Sequence, residues 1–380
     1  MSTIPHPSRP NTFEIDLDAI AANVSEIRRF VGPGVRIFVA MKANAYGFGL
    51  VEVACVLEEC GVDTLCVADL ADASRLRANG ITLPILMYAG SRIDADFVRG
   101  VEGLNLWATI TDLAAATAYS RLAASELGCF VKIDVGLERL GIPVGRAAAD
   151  LRDVARLPQL RLEGVYTHLH VPDEAVANGY VHWQLERFGA LVRETRDAGL
   201  SIPTAMAAST PVVPLVGSSG LEAIDVGRLI YGSLRATRDQ SGSMHIRNAF
   251  SSLTSRLIQV KEIGRREHVA EAPFPIQPHM RIGIAPIGYA DGIESLNCGV
   301  ALVRGRRVPL LGGSSLEHTR LDLTAAPEAE VGDEVVFVGR QEGAVITPDE
   351  VLEHLALDQP ARMATAVRES VARVYLRAKP

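Results

Sequence analysis

Long hydrophobic runs are absent. Although 48% of the 380 residues are hydrophobic, no apolar stretch reaches the roughly 20 residues that a membrane-crossing helix needs. This excludes a helical membrane protein. The opening MSTIPHPSRPNTFEIDL lacks the basic, apolar and small-residue succession of a secretory signal, which points to a cytoplasmic protein. Basic charge is also short. Lys and Arg number 38 against 45 Asp and Glu, a formal charge of −7, and non-specific nucleic-acid binding needs the opposite balance. Cysteine is sparse: Cys55, Cys60, Cys66, Cys129 and Cys298 stand at no metal-ligand or disulfide-framework spacing, so no metal is expected. Cys129 lies in an apolar run and reads as a small core residue. Internal repeats and low-complexity tracts are missing too.

What is present is a long alternation of strand-like and helix-like segments. Short apolar runs occupy Val35–Met41, Thr64–Leu70, Pro84–Ala89, Leu106–Ile110, Cys129–Val135, Leu162–His168, Thr204–Ala208 and Ala223–Val226. Stretches with helical spacing separate them, such as Tyr180 to Ala198, and another, Asp18 to Phe30, precedes the first run. Eight such runs are the count for a (β/α)8 barrel, although a doubly wound open sheet also alternates. After about residue 242 the texture changes to short runs broken by Gly and Pro: Ser255–Val260, Ile282–Ile287, Val300–Val303 and Glu334–Val338, with a turn at Val331-Gly-Asp. The expected organisation is α/β: a barrel over residues 12–240, then a mostly β domain over 241–380 with which residues 1–11 pack. The boundary is expected between Thr237 and Ser243.

Lys42 closes the first run, in FVAMKANAYGFG. A lysine ending an apolar strand is expected to be desolvated, which lowers its pKa and makes its amine a usable nucleophile. A lone lysine there is more often a solvated side chain. The turn residues and phenol of Ala-Asn-Ala-Tyr-Gly that follow set this one apart.

The KANAYG segment resembles the cofactor-binding motif of the alanine racemases, pyridoxal-phosphate enzymes built from a (β/α)8 barrel and a C-terminal β domain. The resemblance extends over nearly the whole chain. VKIDVGLERLG at 131–141, LEGVYTHLH at 162–170, DVGRLIYG at 225–232, IGYADG at 287–292 and RVPLLGG at 307–313 fall in family order. It implies that Lys42 forms the Schiff base with pyridoxal 5'-phosphate and serves as the base on one face of a small amino-acid substrate. Tyr289 is then the opposing base, supplied across a homodimer interface by the other subunit. Tyr46 and Ser209 hydrogen-bond the cofactor phosphate, with the backbone N–H groups of Gly227 and Arg228 as an anion nest. Arg139 pairs with the substrate carboxylate through its planar fork, Lys132 matches a family lysine that is often carbamylated and braces that arginine, and Leu316 lies in the substrate loop.

Several positions depart from the family pattern. Where the family carries an arginine against the pyridine nitrogen, this chain has Asp225. An aspartate there stabilises the pyridinium and strengthens the cofactor as an electron sink. His168 keeps the place of the family's histidine linked to the catalytic tyrosine, and Asp225 beside it is expected to favour an imidazolium. The loop near the carboxylate reads Ser315-Leu316-Glu317, Phe48 stands where histidine is common, and Glu369 falls near the family's phosphate-contacting tyrosine.

Three functions fit these residues. The leading one is a pyridoxal-phosphate-dependent amino-acid racemase, because a two-base mechanism needs both Lys42 and Tyr289. Another is an enzyme of the same fold performing decarboxylation, retro-aldol cleavage or transamination through the electron sink that Asp225 creates. A cofactor-binding module without turnover predicts a barrel alone, against the segment that follows residue 240.

Overall fold

The computed structural model describes residues 9–171, 174–217, 219–232, 244–264, 272–277, 279–356 and 360–378. It divides into two compact units, one of Ala19–Ala45 and Gly49–Arg247, the other of Met1–Asp18, Tyr46–Phe48 and Asn248–Pro380. The expected boundary at 237–243 lies outside the described residues.

In chain order the strands up to residue 226 are β1 Thr12–Asp16, β2 Arg36–Ala40, β3 Thr64–Val67, β4 Ile85–Met87, β5 Leu106–Ile110, β6 Leu127–Asp134, β7 Ile142–Pro143, β8 Leu160–Thr167, β9 Ala205–Ser209 and β10 Ala223–Val226. Strands β2, β3, β4, β5, β6, β8, β9 and β10 pair in parallel in that order, and β10 returns to β2. The sheet therefore closes into the eight-stranded barrel that the alternation implies. Aspartates start three successive outer helices: Asp69 accepts from the Ala71 amide, Asp94 from Phe97 and Asp112 from Ala115. Each cap is worth about 1 kcal/mol. The run expected to extend from Thr64 to Leu70 stops at Val67 because Asp69 begins a helix.

Phe38, Cys66, Leu86, Phe130, Tyr166, Met206 and Ala223 form one buried cluster inside the barrel, with Tyr88 and Trp107 against it. Strand side chains alternate, so the residue two further along points the same way. Tyr88 follows Leu86, Lys132 follows Phe130, His168 follows Tyr166 and Asp225 follows Ala223. A polar layer thus lies over an aromatic floor at the C-terminal strand ends, where barrels of this kind place their sites.

In the other unit, β1 pairs antiparallel with Phe250–Arg256 and parallel with Ala372–Leu376. Residues 12–18 were expected with the barrel but group with the C-terminal unit, Thr12–Asp16 as a strand of its sheet. That sheet continues through Glu334–Gln341, Val300–Val303 and Arg306–Pro309, with Ala344–Ile346 beside Glu334–Gln341. A three-stranded sheet joins Gln259–Glu262, Arg281–Ala285 and Thr319–Asp322. The run Ser255–Val260 proves to be two strands. The Leu257 amide bonds to Asp333 and that of Ile258 to Ile284, so the chain leaves one sheet for the other at that point.

Candidate active site

Strand β2 ends at Ala40, and the Met41 amide bonds to the Cys66 carbonyl at 2.7 Å. Lys42 then opens a left-handed turn in which Ala43, Asn44, Ala45 and Tyr46 all have φ near +55° (55, 55, 55 and 54). Such a conformation costs an L-residue about 1–2 kcal/mol, and backbone strain of this kind concentrates at functional sites. Asn44 repays part of the cost, its side chain accepting from the Leu50 amide at 2.9 Å. Lys42 itself is exposed. The expectation of a desolvated lysine fails because the residue belongs to the turn rather than to the strand. Beyond the turn, Phe48 packs on Phe13 with ring centroids 5.9 Å apart, an ordinary core role for the residue standing where histidine is common.

The Tyr88 hydroxyl donates to Asp225 Oδ1 at 2.7 Å. Burial pushes the Asp225 carboxyl above its ordinary pKa, while the Tyr88 hydrogen bond and the charges of Lys132 and Lys42 oppose the rise. Lys132 is 8% exposed, with its Nζ 4.6 Å from the centroid of the Tyr166 ring. Burial pushes its amine down to about 8, helped by Arg139 and Lys42 and opposed by Asp225. His168 is pushed down to about 4 by burial and by the cations Lys132, Arg139, Lys42 and Arg228. Against the imidazolium expected beside Asp225, burial first and then these cations favour the neutral ring.

Ser209 ends β9, in register with Asp225 on β10. Its hydroxyl is buried without a hydrogen-bond partner among the described residues, as is that of Thr167. The Gly227 amide, expected in an anion nest, donates instead to Thr210 Oγ1 at 3.1 Å, and that of Leu229 donates to the same oxygen at 3.2 Å. Arg228 lies between them and opens a 3-10 turn, Arg228–Tyr231. A buried hydroxyl without a partner calls for an acceptor or donor, and beside a tight backbone turn a phosphate meets that need. With the Lys42 amine and the Asp225 carboxyl in the same unit, the donor set fits pyridoxal phosphate.

Arg139 is delivered by a loop built on Asp134. Its Oδ1 accepts from the amides of Gly136 (3.0 Å), Leu137 (3.0 Å) and Glu138 (3.2 Å), and its Oδ2 from that of Arg139 (3.0 Å). Burial works against this carboxylate, but the four amides hold it below the ordinary range. The Tyr180 hydroxyl donates to the Gly136 carbonyl at 2.9 Å. Gly136 has φ of +139°, and a Cβ there would lie 2.7 Å from that hydroxyl. Gln184, on the same helix as Tyr180, bonds both the amide and the carbonyl of His170, at 2.9 and 2.8 Å.

Tyr289 and Leu316 belong to the other unit and are 50% and 54% exposed. The amides of Tyr289 and Ala290 donate to the Ser315 and Leu316 carbonyls, both at 3.0 Å. A Cβ on Gly288 would lie 2.3 Å from the Ser315 oxygen, which explains the glycine before the tyrosine. Tyr46 also clusters with this unit, and Glu369 is exposed. Of the expected site residues, Lys42, Arg139 and Asp225 act electrostatically on Lys132, and Lys42, Arg139 and Arg228 act on His168. Tyr88 and Thr210 were not expected. Their only signals are position two after an inward-facing residue and adjacency to Ser209.

A barrel with a lysine, a carboxylate and an open hydroxyl at its strand ends, followed by a β domain, defines a class: pyridoxal-phosphate enzymes of the barrel type. The comparisons with known proteins specify the family. Residues 15–235 match the family described as "Alanine racemase, N-terminal domain", and residues 250–375 match "Alanine racemase, C-terminal domain". An alanine racemase of Desulfosudis oleivorans is 34% identical over 378 residues, 95% of each chain. The solved alanine racemase of Clostridium difficile 630 superposes with a TM-score of 0.86 at 25% identity, covering 97% of this chain and 96% of that one. The Bacillus anthracis alanine racemase with bound L-Ala-P gives 0.86 at 28% identity, covering 98% and 96%. The chain belongs to the alanine racemase family and is a pyridoxal-phosphate-dependent amino-acid racemase.

Proposed function

We propose that the chain racemises a small amino acid, alanine foremost, with Lys42 and Tyr289 as opposing bases. The observation that carries this reading is the inward set of Lys132, His168 and Asp225, flanked by Lys42 and Arg139, beside a Ser209 hydroxyl that has no partner among the described residues. Bound pyridoxal phosphate supplies the sink for the electron pair left when the α-proton departs. Lys42 would anchor the cofactor, and Tyr46, Ser209 and the Arg228 amide would receive its phosphate, the Gly227 amide being taken by Thr210. Asp225, held by Tyr88, would answer the pyridine nitrogen, with His168 beside the cofactor. Arg139 pairs with the substrate carboxylate and Leu316 lines the side-chain pocket. One of Lys42 Nζ and Tyr289 Oη takes the α-proton from its face. The other returns a proton from the opposite face, which inverts the centre. Half exposure of Tyr289 supports a site completed by a second copy in a homodimer of the cytoplasm.

The Asp225 carboxylate also favours a second reading, in which a stronger electron sink opens decarboxylation, retro-aldol cleavage or transamination. The test follows inversion of alanine and serine together with release of carbon dioxide and aldehyde. Inversion without by-products supports the racemase. Lys42→Ala should lower the rate at least about a hundredfold and abolish the cofactor's visible absorbance on the protein. Retention of both would refute the role of Lys42.

A further inference from the structure

The turn that carries Tyr289 is organised by a fully buried carboxylate, Asp291. Its Oδ2 accepts from the Gly288 amide at 2.8 Å, which closes the turn on itself. Its Oδ1 accepts from Ser370 Oγ at 2.7 Å and from Arg9 Nη1 at 3.0 Å. The second nitrogen of the same guanidinium, Nη2, donates to the Glu317 carbonyl at 3.3 Å and lies 3.9 Å from the Glu317 carboxylate. The loop so gripped is the one whose Ser315 and Leu316 carbonyls hold the amides of Tyr289 and Ala290. The turn has little slack elsewhere. Gly292 has φ of +93°, and a Cβ there would lie 2.0 Å from the Ala366 carbonyl oxygen.

We propose that Arg9 is a positioning residue for the racemisation: its two-armed bridge from Asp291 to the 315–317 loop sets where the Tyr289 phenol stands. This rests on the reading of Tyr289 as one of two opposing bases. Arg9 touches neither substrate nor cofactor in this account and acts through the backbone on both sides of Tyr289. A planar fork is needed because its arms engage two segments at once. A lysine keeps the charge and loses one arm.

The two-base scheme provides a readout that a merely structural residue would not move. When the phenol is displaced, Lys42 still removes the α-proton of one enantiomer and returns a solvent proton to the same face. That enantiomer then exchanges without inverting. The other enantiomer, which depends on Tyr289 for proton removal, loses exchange and inversion together.

The experiment incubates the holoenzyme in deuterated water with each enantiomer of alanine. Proton NMR follows α-deuterium uptake, and chiral chromatography follows inversion. Arg9→Ala should lower inversion by about ten- to a hundredfold, the cost of misplacing a reacting group by about an ångström. Its exchange-to-inversion ratio should rise for one enantiomer only. Arg9→Lys should shift the same ratio less, and Ser370→Ala, which removes the other side-chain donor to Asp291, should shift it in the same direction. Melting temperature and bound-cofactor absorbance are read in parallel. If Arg9→Ala is too unstable to load cofactor, the Lys and Ser370 variants decide. An unchanged ratio in every folded variant, or equal losses of exchange for both enantiomers, overturns the proposal. Tyr289→Phe separates the two failures: if that variant inverts alanine normally, the two-base reading falls and this assignment falls with it.

Discussion

At the scale of single residues, chemistry follows from what surrounds each titratable group. His168 illustrates the sign. Its folded pKa is pushed from 6.5 down to about 4 by burial and neighbouring cations, so between those values the unfolded chain binds a proton that the folded chain refuses. Stability is then lost as pH falls through this window. For the cofactor-free chain, His168→Gln should flatten the acid limb by about 2 kcal/mol between pH 7 and pH 5, measured by urea unfolding at both. An unchanged limb would mean that the fold does not depress the imidazole's pKa. Lys42 was legible as a residue but not in its exposure, because the turn after it uses non-glycine residues at positive φ, a conformation that Ala-Asn-Ala-Tyr does not advertise. Tyr88 and Thr210 escaped notice for a related reason: each acts on a partner far along the chain, Asp225 and Gly227, and neither belongs to a motif.

Single elements were more legible than their partnerships. The barrel strands could be placed because parallel strands buried on both faces read as continuous apolar runs. Their ends were set by local chemistry, as at Asp69, where a helix cap stops the run. Residues 12–16 were grouped with the barrel because the partners of the strand they form, Phe250–Arg256 and Ala372–Leu376, lie more than 200 residues along the chain. The loop from Asp134 to Arg139 shows how an element positions a side chain. Four amides converge on Asp134, and Tyr180 pins the Gly136 carbonyl. Gly136→Ala would drive a methyl into the Tyr180 hydroxyl at a φ that alanine resists, moving Arg139. The Michaelis constant for alanine should rise by about tenfold or more, with cofactor absorbance unchanged. An unaltered constant would show that this loop does not place the carboxylate-binding arginine.

At the scale of the molecule, closure of eight parallel strands brings inward positions from separate segments into one polar layer, and this is why residues as distant as Lys42, Lys132, His168 and Asp225 can act together. The period of the runs shows which face each side chain takes; closure itself depends on pairing between β10 and β2, which no local pattern encodes. Asp225 sits in this layer, held by Tyr88, and in the proposed place at the pyridine nitrogen its carboxyl would set how strong an electron sink the enzyme commands.

The most direct test of the central claim is the fate of L-alanine incubated with the wild-type holoenzyme and with Tyr289→Phe in deuterated water. The wild type should yield D-alanine carrying α-deuterium, without carbon dioxide, aldehyde or pyruvate. The variant should lose inversion while one enantiomer still exchanges its α-proton through Lys42. Inversion persisting in Tyr289→Phe, or by-products outpacing D-alanine in the wild type, would contradict the account.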